Sequence, residues 1–459
     1  MTFASGPGTR PAWLVLPAAL QPSAASSGSA SGQPFAGSLS LADALARGLA
    51  YNLAVVVRVN NSRQARAEEA IARSVLMPNV TASATDTEQK LNLGALGLHL
   101  TPSVPGVSFP DTVGPFNVFD LRARVTQTVF DRSAIQAWRA SQARTAAGEF
   151  QARDARAVVV LAVGAAYLQV SATEAGLRAA EAQLATATTL LERTIAQRNA
   201  GLATPLDVNR AQLQILAARQ RISALRAEVA TQKIDLARLV GIPPTDQYTL
   251  STAVPFTPAP VLDVADAIVQ ATRERADLKA AEAQVRAAEH SLGSALAMRL
   301  PTAAVSADYG GSRATDASLQ RTYAVGAAVR VPLWEGGRAR GAIEQASAVL
   351  ATRRAEFEDL RADVEAGVRK AFLTLQAAAS QVDVAHQAEQ VNGETLALAR
   401  QRFEAGVGDN LSVVQAQQAL AQADHEHIAA VFAHNLAKLT LARALGLAAD
   451  GLSSFVAVP

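Results

Sequence analysis

Two hydrophobic periods alternate along this chain. Ile215, Ile222, Val229 and Leu236 recur every seven residues, with Ala218, Leu225 and Leu239 on the interleaved position and Gln232 as the exception. Upstream, Leu177, Leu184 and Leu191 keep the same spacing. Elsewhere the period falls to two. Tyr323, Val325, Ala327, Val329, Val331 and Leu333 alternate with Thr322, Ala324, Gly326, Ala328, Arg330 and Pro332, and Leu121, Ala123, Val125 and Val129 alternate with Arg122, Arg124, Thr126 and Thr128. These runs predict strands. Partner strands are predicted at 79–87 and 302–309, directly after Pro78 and Pro301, with a long loop in the first pair (about 91–116) and a short one in the second (310–321).

Prolines bound the heptad regions. None lies between Pro115 and Pro205, between Pro205 and Pro243, or between Pro332 and Pro459, so helices over 132–200 and 337–405 are allowed. Each would be roughly 100 Å long at 1.5 Å per residue. Both end in a turn. Gly201 and Gly406 stand where a helix closes in the left-handed conformation, and Thr204 and Asp409 follow as N-caps, with Pro205 and Asp207 in the first turn of the next helix. The sequence thus predicts two antiparallel helical hairpins.

The hairpins are copies. An offset of 205 carries Gly201 onto Gly406, Tyr167 onto Phe372 and Gly241 onto Gly446; upstream the offset is 223, carrying Ala44-Leu45 onto Ala267-Ile268 and Met77-Pro78 onto Leu300-Pro301. The 18-residue difference is an insertion after Pro78 in the first copy. The expected organisation is a signal-like or disordered segment (1–37), a first repeat of helix, strand pair and hairpin (38–241), a Pro-rich linker (242–262), a second repeat (263–447) and a tail (448–459).

Composition narrows the function. Of 459 residues 49% are hydrophobic, 18% charged and 5% aromatic, which suits closely packed long helices. A net charge of +2 without a Lys/Arg cluster gives no support to nucleic acid as a partner. There is no Cys, which excludes disulfides, thiolate metal sites and a lipid-modified N-terminal Cys. The longest apolar run, 157–168, is short of a membrane-spanning helix. No phosphate loop, dinucleotide fingerprint, zinc-protease motif or nucleophile elbow occurs, so neither an enzyme nor a cofactor is expected.

The strands point to a membrane wall. One face of each is apolar and the other polar or small, as in a barrel with lipid outside and water within. Four strands cannot close a barrel, and an open edge is not stable in lipid, so several chains must share one. Phe119, Phe130, Tyr309, Tyr323 and Trp334 are expected at or near strand ends as interfacial aromatics.

From about Leu41 to Leu447 the chain resembles the TolC-like outer-membrane efflux protein family. The resemblance rests on the duplicated layout, the entries Met77-Pro78 and Leu300-Pro301, the passage Pro332-Leu333-Trp334-Glu335-Gly336-Gly337 from strand to helix, and the two turns. It implies a mostly α fold with a small β part: a homotrimer in which duplicated hairpins form an α-barrel across the periplasm of a Gram-negative bacterium and four strands per chain contribute to a shared outer-membrane β-barrel. It implies a passive conduit for efflux or type I secretion, with a periplasmic adaptor and an inner-membrane pump as partners. Adaptor contacts map to Gly201, Leu202, Gly406 and Val407, and an acidic pore constriction maps to Asp207. Ser412 departs from the family pattern, standing where an acid is common.

Plainer readings accompany these. Asp207 sits where an acid favours a helix N-terminus, and Leu202 and Val407 follow C-cap glycines, where apolar residues fold back onto the hairpin. His427 and His434 fall on the heptad seam. An apolar stripe rotated to Ile428, Val431, Leu436 and Leu439 would leave both on a solvated or tunnel-facing side, and no metal ligands are assigned, since residues two apart in His425-Glu426-His427 face apart. Two other classes remain open at this point: a soluble coiled-coil scaffold, and a periplasmic adaptor, against which two hairpins 205 residues apart already argue.

Overall fold

The computed structural model describes residues 34–95, 97, 112–251, 255–258, 263–315, 317–405 and 407–448. Most of the N-terminal segment, the centre of the first strand loop, Gly406 and nearly all of the C-terminal tail lie outside these residues. The first repeat comprises β1 (Gly37–Leu39), α1 (Leu41–Tyr51), α2 (Leu53–Ser74), β2 (Asn79–Asn92), β3 (Thr112–Phe130), α3 (Arg132–Asn199) and α4 (Pro205–Val240). After β4 (Tyr248–Leu250) the second comprises α5 (Val264–Glu274), α6 (Ala276–Ala297), β5 (Thr302–Ala314), β6 (Gln320–Arg330), α7 (Arg338–Glu404) and α8 (Asn410–Ala444). Shifted by 223 residues, α1 and α2 coincide with α5 and α6; shifted by 205, the start of α4 coincides with that of α8.

Local chemistry explains these bounds. Ser40 caps α1 by accepting from the Asp43 amide, and Asp263 caps α5 by accepting from Ala265 and Asp266. Asn52 and Arg275, which correspond under the 223 offset, end α1 and α5 in the same extended conformation, ψ 131° and 126°. Their side chains solve the break differently. Buried Asn52 donates to the Leu239 carbonyl at 3.3 Å and accepts from the Ala54 amide at 3.0 Å, whereas Arg275 pairs with Asp277 at 2.5 Å.

The described residues fall into two compact units, each drawing on both repeats. One takes the described residues of Met1–Ser62, Ala147–Ala281 and Glu356–Pro459, which are mostly helical. Its core joins Leu39, Val163, Tyr167 and Val170 to Leu236, Leu239, Val368, Leu439 and Leu445. β1 and β4 pair in parallel beside it, and Phe35 donates its amide to Asp246 at 3.0 Å, so the end of the predicted N-terminal segment (1–37) and part of the predicted linker (242–262) are folded onto this unit.

Ion pairs from Arg226 to Glu181 (2.8 Å) and Lys233 to Glu174 (2.7 Å) lace α4 to α3, as expected of a hairpin. Ile215, Ile222, Val229 and Leu236 are buried along α4. On α3 the expectation needs correction. Leu177, Leu184 and Leu191 are only half-buried, and the fully buried heptad is Thr173, Ala180, Ala187 and Thr194. Small residues admit a close neighbour. The threonine hydroxyls donate to carbonyls one turn back, Gln169 and Leu190, which permits their burial.

A further correction concerns membrane-crossing length. One stretch of α3 is long and apolar enough to span a membrane by length and composition, and 72% of it is buried within the chain. Its hydrophobicity therefore serves the core.

The other unit, Arg63–Ala146 and Glu282–Ala355, carries a four-stranded antiparallel sheet ordered β2-β3-β5-β6. Its strands outrun the predicted ones: the β2–β3 ladder continues past an irregularity at Gln89/Leu91 to Asn92↔Thr112, and the β5–β6 ladder extends to Ser312↔Gln320. Beyond the alternating stretch the ladder persists with polar side chains on β2 (Glu88, Gln89, Lys90) and β6 (Gln320, Arg321) and without strict alternation on β3, so the periodic signal stops before the strand does.

Candidate channel wall and helical tips

The sheet register separates two chemistries. Val80, Val125, Ala307 and Val325 form one row across four strands, and Ala82, Ala123, Tyr309 and Tyr323 form the next. Rows two residues apart share a face, so this face is apolar. Val80, Leu121, Val125, Tyr309, Tyr323, Val325 and Val329 on it are exposed in the single chain. The alternate rows are polar. Ser83, Arg122, Gly310 and Thr322 make one, and Thr81, Arg124, Asp308 and Ala324 another. Arg122 is ion-paired to Asp120 and Asp308 and donates to Thr322 at 3.3 Å, tying three strands together on the polar face. A Cβ at Gly310 would lie 2.3 Å from the Leu121 carbonyl oxygen, so the ladder requires glycine beside Arg122.

Tyr309 and Tyr323 are direct cross-strand partners, and Phe130, opposite Ala303, lies at the level of Val329. Six residues of strand separate these levels, about 20 Å. Aromatics thus mark both margins of an apolar band close to the ~25 Å typical of outer-membrane barrels. Trp334 lies just past β6 and is exposed. For Phe119 and Tyr309 the expected position is corrected: both are inside their strands, because β3 begins at Thr112 and β5 continues to Ala314. Phe119 stacks under the Arg313 guanidinium, 5.6 Å from the ring centroid. Among the described residues β2 and β6 are each paired on one side only.

The first tip is built by its caps. Gly201 has φ 76°, and the Leu202 amide donates to the Gln197 carbonyl at 2.8 Å, closing α3 in a Schellman turn. Thr204 then caps α4 in a complete capping box: its hydroxyl accepts from the Asp207 amide, and the Asp207 carboxylate accepts from the Thr204 amide (3.0 Å) and hydroxyl (2.6 Å). These bonds, the hydroxyl's first, hold the Asp207 carboxyl below its ordinary pKa. Leu202 remains 80% exposed.

The second tip exchanges the partners. Asp409 is the N-cap, accepting from the Ser412 amide at 2.9 Å and from its hydroxyl. Hydroxyl and acid have swapped places, which accounts locally for Ser412 where an acid was expected. Val407 is 69% exposed, its amide bonded to the Arg402 carbonyl at 3.0 Å. The Asn410 amide nitrogen reaches the Asp207 carbonyl at 3.1 Å, and Arg193 of α3 ion-pairs with Glu404 of α7, so the tips are mutually bonded. Behind them Leu190, Leu396, Phe403, Val413 and Val414 form a small core.

The histidines also need correction. His434 is 1% exposed, because α8 is buried on all sides beyond Ala430; it bonds the Thr257 carbonyl at 3.2 Å and packs on Phe256 at 4.8 Å. Lys438, 0% exposed, donates to the Thr257 carbonyl (3.0 Å) and hydroxyl (2.6 Å), and burial lowers its pKa to about 8. With Asn435, which donates to Pro255, they clamp the inter-repeat linker. His427 is bonded to Glu389. No metal ligands were read from the sequence, yet liganding atoms of His386, Glu389 and His427 lie within 4.8 Å of one another.

Comparisons agree with this geometry. The family model described as "Outer membrane efflux protein" matches residues 48–242 and 267–447, thereby covering both repeats. The pyoverdine export outer membrane protein OpmQ of Pseudomonas putida KT2440 is 25% identical over 410 residues, 88% of this chain and 84% of that protein. The toluene efflux pump outer membrane protein TtgF, from another strain of Pseudomonas putida, is 25% identical over 85% of this chain and 79% of its own. In fold, the outer membrane protein VceC of Vibrio cholerae matches with a TM-score of 0.74 at 21% identity, covering 88% of this chain and 96% of that one. The outer-membrane channel OprN matches with a TM-score of 0.76 at 21% identity, over 88% and 89%. Neither a soluble scaffold nor an adaptor accounts for a match across both repeats. With its apolar-faced sheet and its paired capped hairpins, the chain belongs to the outer membrane efflux protein family.

Proposed function

We propose that three copies of this chain complete one twelve-stranded barrel in the outer membrane and one periplasmic helical tunnel, forming a passive conduit whose tips are opened by a periplasmic adaptor joined to an inner-membrane pump. The observation that carries the reading is the sheet itself: four strands with an exposed apolar band on one face, through Val80, Val125, Tyr309, Tyr323 and Val325, and, among the described residues, an unpaired edge at each side. Such edges are not stable in lipid until neighbours pair with them. β6 runs opposite to β2, so the next copy's β2 laid beside β6 continues the antiparallel alternation.

At the tips, Leu202 and Val407 are the apolar groups offered to the adaptor, and Gly201, at φ 76°, shapes the first turn. Asp207 serves as cap and, in the assembled ring, as an acidic constriction. The relatives named for pyoverdine export and toluene efflux favour small molecules as cargo, the driving pump supplying the selection. No residue performs chemistry in this reading; transport depends on a sealed path and a gate.

The test is fractionation followed by unheated gel electrophoresis and mass determination of the detergent-extracted protein. Recovery from the outer membrane as a trimer is expected. Release without detergent as a monomer or dimer would overturn the reading.

A further inference from the structure

Midway along the second hairpin, two helices bring chemistry-bearing side chains together at matching intervals. His386 and Glu389 are three residues apart on α7, and Asp424 and His427 are three apart on α8, so each pair lies on one helix face. The pairs meet. His427 Nδ1 is bonded to Glu389 Oε2, His386 Nδ1 lies 3.7 Å from the same oxygen, and the imidazoles are 5.1 Å apart, tilted by 50°.

We infer that His386, Glu389 and His427 form a binding site for a divalent transition-metal cation of the zinc type, with solvent completing the coordination. Two imidazoles and a carboxylate are a common zinc donor set, whereas magnesium and calcium prefer oxygen throughout. Bonds of about 2.0–2.2 Å place tetrahedral ligand atoms about 3.4 Å apart, so rotamer adjustment of order 1 Å draws the three into coordination. One outer contact suits the role: Gln390 meets His386 Nε2 at 3.0 Å. Glu389 is shared by both histidines, so in the metal-free protein it cannot satisfy them equally, and a cation resolves that competition. Bound metal would fasten α7 to α8 about 22 Å of helix from Glu404, the last residue of α7. Metal binding at this cluster depends on neither the trimer nor the gate.

The test uses the full chain, detergent-extracted, without a histidine tag and stripped with EDTA. Zn²⁺ is titrated against a chromophoric chelator, and Co²⁺ binding is followed by its visible absorption. One Zn²⁺ per chain is expected, with micromolar or tighter affinity, together with a Co²⁺ band of nitrogen–oxygen coordination. His427→Gln and Glu389→Gln should each weaken binding at least about 10-fold and abolish the band. His386→Gln alters an exposed residue and serves as the variant least able to disturb folding, while His290→Gln, whose histidine bonds Gln136 elsewhere, should bind as the parent does. Absence of stoichiometric Zn²⁺ binding, or binding undiminished in correctly folded His386→Gln, would leave only a histidine–glutamate ion pair and overturn the inference.

Discussion

The Asn410 side chain donates to the backbone carbonyl of Asp207 at 3.1 Å, bonding the first residue of α8 to the first turn of α4. It joins the tips of two hairpins that are 203 residues apart in sequence. Asn410→Ala removes this donor while the Asp207 carbonyl keeps its place in the α4 ladder, at a cost of about 0.5–1.5 kcal/mol. The expected result is a tip that opens more readily, read as larger single-channel conductance in planar bilayers with the trimer intact on unheated gels.

Leu202 and Val407 contribute little to the fold of the single chain, being mostly exposed. Leu202→Asp and Val407→Asp should change stability by within about 0.5 kcal/mol. If the adaptor docks there, each abolishes adaptor cross-linking and efflux while outer-membrane trimer levels hold. Efflux undiminished in the double variant would place the contact elsewhere.

The capping box makes the first tip sensitive to acid. Because Asp207 is held below its ordinary pKa by Thr204, its stabilising contribution is full above the usual carboxylate range, near 3.9, and is lost as pH falls through the lowered value. Asp207→Asn should flatten that dependence, and Thr204→Ala should cost about 0.5–2 kcal/mol at neutral pH. Amide exchange at residues 204–208 as a function of pH measures both.

Lys438 has the opposite sign. Burial lowers it to about 8, below the ordinary value near 10.4, so the unfolded chain binds more protons between these values and stability rises with pH through that window. Below pH 8 the buried charge opposes folding, by an amount on the order of 1–3 kcal/mol. Lys438→Met should melt higher at pH 7 and lose the rise between pH 8 and 10; thermal melts in detergent decide it.

The two sheet faces should respond differently to charge. Val325→Arg places a cation on the apolar band, where it costs about 2–4 kcal/mol near the membrane midplane, and should cut recovery of outer-membrane trimer. Ala324→Arg, one residue away on the polar face beside Asp308, should be tolerated.

The elements were legible in the sequence wherever one helix face or strand face carries its own signal. Ile215, Ile222, Val229 and Leu236 announce a buried α4 stripe without knowledge of the neighbour, and Tyr323, Val325 and Val329 announce an apolar strand face. The matching α3 stripe was hidden because Thr173, Ala180, Ala187 and Thr194 are small; close approach selects them, and approach is a property of the pair. The linker clamp was invisible for a related reason: His434 and Lys438 read as seam or surface residues until Thr257 is known to lie against them. The cluster of His386, Glu389 and His427 required the phase between two helices. His-x-x-Glu at 386–389 was the available signal, and it is too short to stand out alone. Phe119 and Tyr309 were misplaced because a hydrophobic pattern marks where a strand meets an apolar solvent, while the backbone ladder runs further.

The two free edges of the sheet are not alike. β6 ends the second repeat's strand pair and β2 begins the first's, so in the proposed trimer contact between copies would be head to tail, each copy presenting a donor edge and an acceptor edge. Such an association has a direction and finishes only when the ring closes. A copy whose β6 edge is blocked, for example by proline, still offers a sound β2 edge to its neighbour, enters the growing ring and halts it. In a cell making both forms, the defective chain removes sound ones from use in proportion greater than its own abundance.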